Sequence, residues 1–267
     1  MITKQSRSQN AINKLSLNEL EEIIKTDEYE MDLYSKIMTK VSLYFVYIFS
    51  RTPITANQLT LLMLFIGFGT ACAFAFNKML LGIVLLHTWY MFDWVDGAIA
   101  RLKNQCTKTG WYYDHLVHLL NHPLFFVSIG YGLYIQTNKL YIFILSIIAA
   151  YAHLIDVSSS DTYMMVLFKN LLDSKVEYKS NQSLHSNSKN YIALIIHFPK
   201  IINIYTFSVL IDYILVIMEL QKYYNITFVI TALYGIVLPI YVILRFIKNI
   251  KSKAIDKEYD HIMKNLK

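Results

Sequence analysis

Long apolar runs constrain this chain more than any other feature of its sequence. Each run is about 20 residues long, which is the length that an α-helix needs to cross the hydrocarbon core of a bilayer. Hydrophobic residues fill 55% of the 267 positions and charged residues only 16%, which excludes a disordered chain. The two cysteines form no pattern typical of a disulfide scaffold. The runs predict spans at residues 57–76, 79–98, 111–135, 139–158, 201–220 and 226–247.

The N-terminal 50 residues predict surface helices instead of spans. Leu15, Leu17 and Leu20 recur at helical spacing beside glutamates, which indicates a short surface helix. Residues 31–50 mix lysines with an apolar stretch too short to cross a bilayer, so we expect an amphipathic helix in the membrane interface. The sequence Arg51-Thr52-Pro53 should end this helix, because the residue before a proline leaves the helical region.

The predicted fold class is therefore an all-α integral membrane protein with six transmembrane helices and an N-terminal interfacial amphipathic helix. We expect a cytoplasmic N-terminal segment at 1–50, a six-span domain at 51–250 and a basic cytoplasmic tail at 251–267. Between spans four and five, residues 169–190 predict a polar loop.

Lysine and arginine residues lie mostly on one side of this arrangement. The N-terminal segment, the loop after span two, the segment 169–200 and the tail are rich in them, whereas the opposite loops carry only Lys78, Lys139 and Lys222. The positive-inside rule then places both termini in the cytoplasm. The net charge of +6 is explained by this topology, and we expect no nucleic-acid partner.

Four ionisable residues gather at the cytoplasmic ends of spans two and three. Asp93 and Asp96 are three residues apart, and Asp114 and His118 four, so each pair lies on one helix face. Ionisable groups within spans are costly and usually functional. Carboxylates that converge at one depth repel one another unless they take up protons or bind a cation. Oxygen ligands of this kind suit Mg²⁺ or Mn²⁺.

Small residues and one arginine accompany this acidic cluster. Gly97 and Gly110 allow close approach of the backbone to a ligand, and Arg101 offers a planar donor fork to phosphate. The pattern resembles the signature of the CDP-alcohol phosphotransferase (CDP-alcohol phosphatidyltransferase) family. Seven of the eight fixed residues of that signature are present, namely Asp93, Asp96, Gly97, Ala100, Arg101, Gly110 and Asp114.

This resemblance implies a membrane transferase. Such an enzyme moves a phospho-alcohol group from a CDP-alcohol, CDP-diacylglycerol among the candidates, to an acceptor hydroxyl and releases CMP. The setting is phospholipid synthesis or modification of a surface glycan or its lipid carrier. The resemblance also implies a cytoplasmic active site with bound Mg²⁺ or Mn²⁺, contact with membrane lipid, and the homodimers that members often form. It assigns the metal to Asp93, Asp96 and Asp114, and CDP to Asn57, Thr60, Gly97, Ala100, Arg101 and Gly110.

The chain departs from the family pattern at position 118, where it has a histidine. The family has its fourth aspartate there, and that aspartate is taken to be the general base. Histidine titrates near neutral pH, and we expect His118 to be the catalytic base. Two alternatives stay open: His118 binds or orients substrate while another group takes the proton, or the chain is a pseudoenzyme that binds CDP or lipid without turnover. His115, His118 and His122 give a weak indication of a zinc site.

Other charged residues lie outside this signature. Asp156 and Asp161 either bind the acceptor or a second cation, or are solvated at a helix end, and Asp212 has no partner visible in the sequence. The competing functional class is a cation-coupled carrier. The acids lie at one end of their spans and the two halves show no repeat, which argues against a carrier. Candidates for an anion pocket are Arg51, Lys103, Lys108 and Lys200.

Overall fold

The computed structural model describes residues 12–13, 15–24, 33–173 and 198–266. Within these ranges the regular structure is α-helical and contains no strand, so the all-α prediction is confirmed. The helices are α1 (Leu17–Ile24), α2 (Leu33–Ser50), α3 (Ala56–Ala75), α4 (Met79–Leu102), α5 (Lys108–Thr137), α6 (Leu140–Asp173), α7 (Phe198–Ile217), α8 (Asn225–Ser252) and α9 (Ala254–Leu266).

Four of these helices are long and apolar enough to cross a membrane. They are α3, α5, α8 and, over Leu140–Lys169, α6. Helix α7 counts only as a shorter apolar helix over Ile201–Ile217. Helix α4 has 24 residues, but its last turns carry two aspartates and an arginine. Large apolar side chains lie on the outer faces, with Phe65 61% and Ile243 58% exposed, as expected of helices that face lipid.

Most of the predicted boundaries lie close to the observed ones, and α6 is the exception. The prediction ends span four at 158, whereas α6 continues to Asp173. No glycine or proline interrupts residues 159–173, so nothing in the sequence stops the helix where the apolar run ends. The rest of the predicted polar loop, and residues 191–197 after it, lie outside the described residues.

Turns between the first long helices follow local sequence signals. Helix α2 ends at Ser50, directly before the predicted break at Pro53. Helix α3 begins with a capping box, in which the Thr55 side chain accepts from the Gln58 backbone N–H and the Gln58 side chain accepts from that of Thr55. Asn77 and Asn104 take left-handed backbone conformations just beyond the ends of α3 and α4. These turns fix where the polar ends of α3, α4 and α5 begin.

The first compact unit of the chain covers residues 1–128 and ends inside α5. A Cβ at Gly82 would overlap the Phe74 ring, and one at Gly67 would overlap the Asn121 amide. Helix α1 is held by Leu20, which is fully buried, and by the chain just before it, where Arg51 donates to the Leu15 carbonyl. Because positions 67 and 82 are glycine, α3 packs closely against α4 and α5.

The second compact unit covers residues 129–267. A Cβ at Gly235 in α8 would meet the backbone and side chain of Leu145 in α6. Residues 254–266, predicted only as part of a basic tail, form the amphipathic helix α9. Ile262 of α9 packs on Leu167 of α6, and Tyr163 donates to Glu258. The long extension of α6 thus provides the surface on which α9 packs.

Candidate active site

A cavity opens in the first unit where α4 ends and α5 begins. Its volume is about 220 Å³. All six residues predicted to bind CDP line it, and they do so together with Asp96 and Asp114. The remaining lining residues, which were not predicted to bind CDP, are Ala56, Gln105, Cys106, Thr107 and Trp111.

The α4–α5 loop shapes this cavity through contacts with backbone groups. The Gln105 side-chain oxygen accepts from the Ala56 N–H at 2.9 Å, which ties the loop to the start of α3. The Thr107 hydroxyl accepts from the Gly110 N–H at 2.9 Å in the first turn of α5. Such loop contacts have no periodic sequence signal, which is why the sequence did not identify Gln105 and Thr107.

Lys103 fastens the same loop to the break between α2 and α3. Its ammonium group donates to three carbonyls: Phe49 at 3.1 Å, Thr52 at 2.7 Å and Ile54 at 2.8 Å. Burial lowers the pKa of Lys103, as expected for an ammonium withdrawn from solvent. All three of its N–H groups are used, so Lys103 is not available to an anionic acceptor.

Arg51 is likewise used by the fold. It donates to the carbonyls of Tyr47 at 2.6 Å and Leu15 at 2.8 Å, and its guanidinium lies 3.5 Å from the centre of the Tyr47 ring. Both side chains therefore bind backbone carbonyls, and the anion pocket expected from Arg51, Lys103, Lys108 and Lys200 stays a prediction. Lys200, the most distant candidate, has a side chain outside the described part of the chain.

Asp96 and Thr60 form a buried pair on the cavity wall. The Thr60 hydroxyl donates to Asp96 Oδ2 at 2.6 Å, and each residue is only 5% exposed. A hydrogen bond this short to a carboxylate is of the strong, charge-assisted kind. Thr60 thus holds Asp96 in place, a contact that the assignment of Thr60 to CDP did not predict.

Asp93 and Asp114 converge with His118 instead of with Asp96. One potential ligand atom from each of these three residues lies within 4.8 Å of the others. His118 Nε2 is 2.9 Å from Asp93 Oδ1 and 3.3 Å from Asp114 Oδ1. The predicted trio of aspartates is therefore split, because Asp96 lies with Thr60.

The donor set around this convergence fits a divalent cation. It offers two carboxylates and one imidazole nitrogen from two helices. Asp114 Oδ1 is buried, and its contact among the described residues is with His118 Nε2 at 3.3 Å, which leaves the oxygen free to coordinate an ion as well. Carboxylate oxygens are ligands that divalent cations commonly use.

A second histidine holds His118 from behind. His118 Nδ1 lies 3.0 Å from His122 Nε2, one turn along α5. The fully buried Trp89 packs edge-on against both imidazoles, at 5.1 and 5.3 Å between ring centroids. His115 instead stacks on Trp111, so the three histidines predicted as a zinc site do not converge in the described structure.

The remaining predicted acids have structural partners in the second unit. Asp156 pairs with Arg245, which also donates to the Ser160 hydroxyl at 3.0 Å. Asp212 is fully buried and accepts from the backbone N–H groups of Ile226 and Thr227 at the start of α8. The partner of Asp212 that the sequence could not show is therefore the N-terminus of the next helix.

The chain is similar to known proteins of one family. The family model described as CDP-alcohol phosphatidyltransferase matches residues 53–237, well over half of the chain. A crystal structure of Mycobacterium tuberculosis phosphatidylinositol phosphate synthase with CDP-DAG bound is similar at 15% identity and a TM-score of 0.49, covering 79% of this chain and 92% of that one. No curated protein sequence matches the chain. The extent of the family match shows that the chain belongs to the CDP-alcohol phosphatidyltransferase family.

Proposed function

We propose that this protein transfers the phospho-alcohol group of a CDP-alcohol to an acceptor hydroxyl and releases CMP. One observation carries the proposal: the six residues predicted to bind CDP line a single cavity with Asp96 and Asp114. Membership of the family supports the same reaction class.

The reaction makes one phosphorus–oxygen bond and breaks another. The acceptor oxygen bonds to the β-phosphorus while that phosphorus separates from the bridging oxygen, so CMP leaves and the acceptor proton passes to a base. A cation held by Asp93 and Asp114, Mg²⁺ or Mn²⁺, would neutralise charge on the diphosphate. This chemistry depends on alignment of the reactants and on electrostatic stabilisation more than on covalent catalysis by the protein.

The cavity wall suits a diphosphate on steric and electrostatic grounds. Arg101 is exposed at the cavity and offers several N–H donors to phosphate oxygens. A Cβ at Gly97 would lie 3.4 Å from Arg101 Nη1, in contact with the group that would bind phosphate. A Cβ at Gly110 would lie 3.2 Å from both the Asn57 side-chain oxygen and the Thr107 hydroxyl. Both glycines therefore keep the wall open to a close ligand.

The membrane arrangement that accompanies this function has six spans, α3 to α8, with α2 in the interface. Both termini and the cavity lie on the cytoplasmic side in this arrangement. The distribution of lysine and arginine supports this orientation. Spans of α4 and α7 complete an even number, as two termini on one side require. A lipid-linked donor such as CDP-diacylglycerol then reaches the cavity from the membrane, and the acceptor reaches it from the cytoplasm.

A panel of CDP-linked alcohols and hydroxyl acceptors tests the reaction. The full-length protein in lipid nanodiscs should release CMP with at least one donor–acceptor pair, and mass spectrometry should find the matching product. Asp96→Asn or Asp114→Asn should lower turnover at least about 100-fold, because a group that stabilises developing charge is lost. Asp260→Asn, a change at an exposed aspartate of α9, is the control and should retain full turnover.

Two results would contradict the proposal. Full turnover in both site variants would remove the site from the reaction. Binding of CDP without CMP release across the whole panel would instead indicate the non-catalytic alternative.

A further inference from the structure

One ligand atom distinguishes this site from a site built only of carboxylates. We propose that His118 is a metal ligand, so that its imidazole and the carboxylates of Asp93 and Asp114 bind the divalent cation. This mixed set of nitrogen and oxygen ligands favours Mn²⁺ and other first-row transition ions over Mg²⁺. The inference deepens the proposed function and rests on it, since it concerns the metal of the same site.

Distances place His118 among the ligands. Its Nε2 faces both Asp93 Oδ1 at 2.9 Å and Asp114 Oδ1 at 3.3 Å. All three ligand atoms lie within 4.8 Å of one another, which is the span over which atoms that share one ion are found. Asp114 Oδ1, one of these three atoms, is buried and makes no other contact in the described structure than that with His118 Nε2. An ion at this point would satisfy all of them at once.

Second-sphere contacts orient the imidazole for this role. Metal-bound histidines usually donate their other ring N–H to a neighbouring acceptor, which fixes the tautomer and the ring orientation. His118 Nδ1 lies 3.0 Å from His122 Nε2, so His122 is the neighbouring acceptor when Nε2 faces the ion. Trp89 packs against both rings and restricts their rotation. His122 is therefore a positioning residue for His118.

Ligand chemistry sets the preference among metals. Mg²⁺ demands oxygen ligands and dehydrates reluctantly, whereas an imidazole nitrogen is well suited to transition ions. Asp96 is bonded to Thr60 and lies outside the close group, which lowers the number of carboxylates around the ion. The site is thus less favourable for Mg²⁺ than one with an aspartate at position 118.

This assignment also decides among the roles that the sequence leaves open for His118. A nitrogen whose lone pair is bound to a metal cannot accept the acceptor proton. The other nitrogen faces His122 and not the cavity, whose lining does not include His118. His118 therefore binds the ion, and a different group takes the proton.

Electron paramagnetic resonance with Mn²⁺ as the probe tests the proposal without turnover. The full-length protein in nanodiscs is loaded with Mn²⁺ alone, and electron spin-echo modulation reports nitrogen bound to the ion. We expect ¹⁴N modulation in the native protein, and its conversion to a ¹⁵N pattern when only the histidines carry ¹⁵N. This measurement needs no variant, so a variant that fails to fold leaves the test intact.

Substitutions then separate the ligand from its support. His118→Asp should abolish the nitrogen modulation and let Mg²⁺ displace Mn²⁺ at a lower concentration. His122→Phe should retain the modulation but weaken Mn²⁺ binding by about 10- to 100-fold, the usual cost of losing a second-sphere partner. His261→Asp, the same change at an exposed histidine of α9, is the control and should alter neither property.

The possible outcomes keep this inference distinct from the proposed function. Bound Mn²⁺ without nitrogen modulation in the native protein, or no Mn²⁺ binding at all, overturns the inference. If CMP release is seen together with that result, the transferase stands and His118 returns to the role of base. Nitrogen modulation without CMP release on any donor supports the inference and overturns the transferase.

Discussion

Thr60 makes its short hydrogen bond to a carboxylate, although the resemblance to the family assigns it to the nucleotide. It lines the cavity, but its hydroxyl is directed to Asp96 Oδ2 at 2.6 Å. Both residues are almost completely buried, so no water replaces this bond if it is lost. We therefore expect Thr60 to affect the proposed reaction through the orientation of Asp96.

Thr60→Val should lower turnover much more than it lowers the thermal stability of the protein. A hydrogen bond to a charged group contributes about 1.5–3 kcal/mol, and its loss leaves Asp96 free to rotate out of position. Thr60→Ser should restore turnover because it keeps the hydroxyl. Steady-state kcat and KM, measured with melting temperatures, check both variants.

Thr70→Val is the matched control for this experiment. Thr70 is buried in the same helix and donates to the Ile66 carbonyl, outside the cavity lining. If Thr60→Val and Thr70→Val reduce turnover equally, Thr60 has no specific role at the site.

At the scale of residues, the sequence predicts what helical spacing determines. Asp96 and Ala100, and likewise Gly97 and Arg101, line the cavity together because each pair is four residues apart on α4. The sequence does not predict the three carbonyls that Lys103 joins, because they lie about 50 positions away in the chain. Contacts between side chains and distant backbone depend on the tertiary fold, and no local pattern encodes them.

At the scale of elements, Asp212 shows how two helices are held together. Its Oδ1 accepts from the Ile226 N–H at 3.0 Å, and its Oδ2 accepts from the Thr227 N–H at 2.7 Å and hydroxyl at 2.8 Å. These N–H groups lie in the first turn of α8, whose own N-cap residue, Tyr224, makes no side-chain cap. A carboxylate of α7 thus caps the following helix, and the helix dipole favours its charge.

Asp212→Ala should destabilise the protein by at least about 2 kcal/mol, because buried donors lose their acceptor and the helix loses its cap. The expected result is a clear fall in melting temperature for the protein in nanodiscs. Glu219→Gln, at an exposed site near the end of α7, is the control and should melt like the native protein. Equal melting temperatures for the two variants would show that the cap formed by Asp212 does not stabilise the protein.

Helix boundaries separate what the sequence determines locally from what it does not. Apolar run length is a local property, and it predicts the extent of α3 to within one residue at each end. The length of an apolar run shows where a hydrophobic segment ends, but it does not show where the helix ends. It therefore does not predict the extension of α6 to Asp173. Packing of Leu167 against Ile262 of α9 supports that extension, and this contact joins segments distant in sequence.

At the scale of the whole molecule, charge distribution predicts the side of the membrane on which the cavity opens. The two cysteines provide a way to test it. Cys106 is exposed and lines the cavity, whereas Cys72 is exposed near the other end of α3. Their positions along the chain assign them to opposite ends of the membrane-spanning region.

A membrane-impermeant maleimide should label Cys106 in inside-out vesicles and leave it unlabelled in intact cells. The Cys72→Ser variant isolates this reaction. Added CMP with Mn²⁺ should slow the labelling, because the nucleotide would cover the cavity wall on which Cys106 lies. In the reciprocal Cys106→Ser variant, CMP should have no effect on labelling. Labelling of Cys106 from outside intact cells would overturn the proposed orientation.

The three carbonyls that Lys103 binds have a thermodynamic consequence for ligand association. A loop that is loose in the free protein must surrender conformational entropy when a ligand orders it. Here the ammonium of Lys103, with the side chain of Gln105, already fastens the α4–α5 loop to the segment before α3. That entropy is lost during folding, so the proposed nucleotide diphosphate ligand should require little further ordering of the cavity walls.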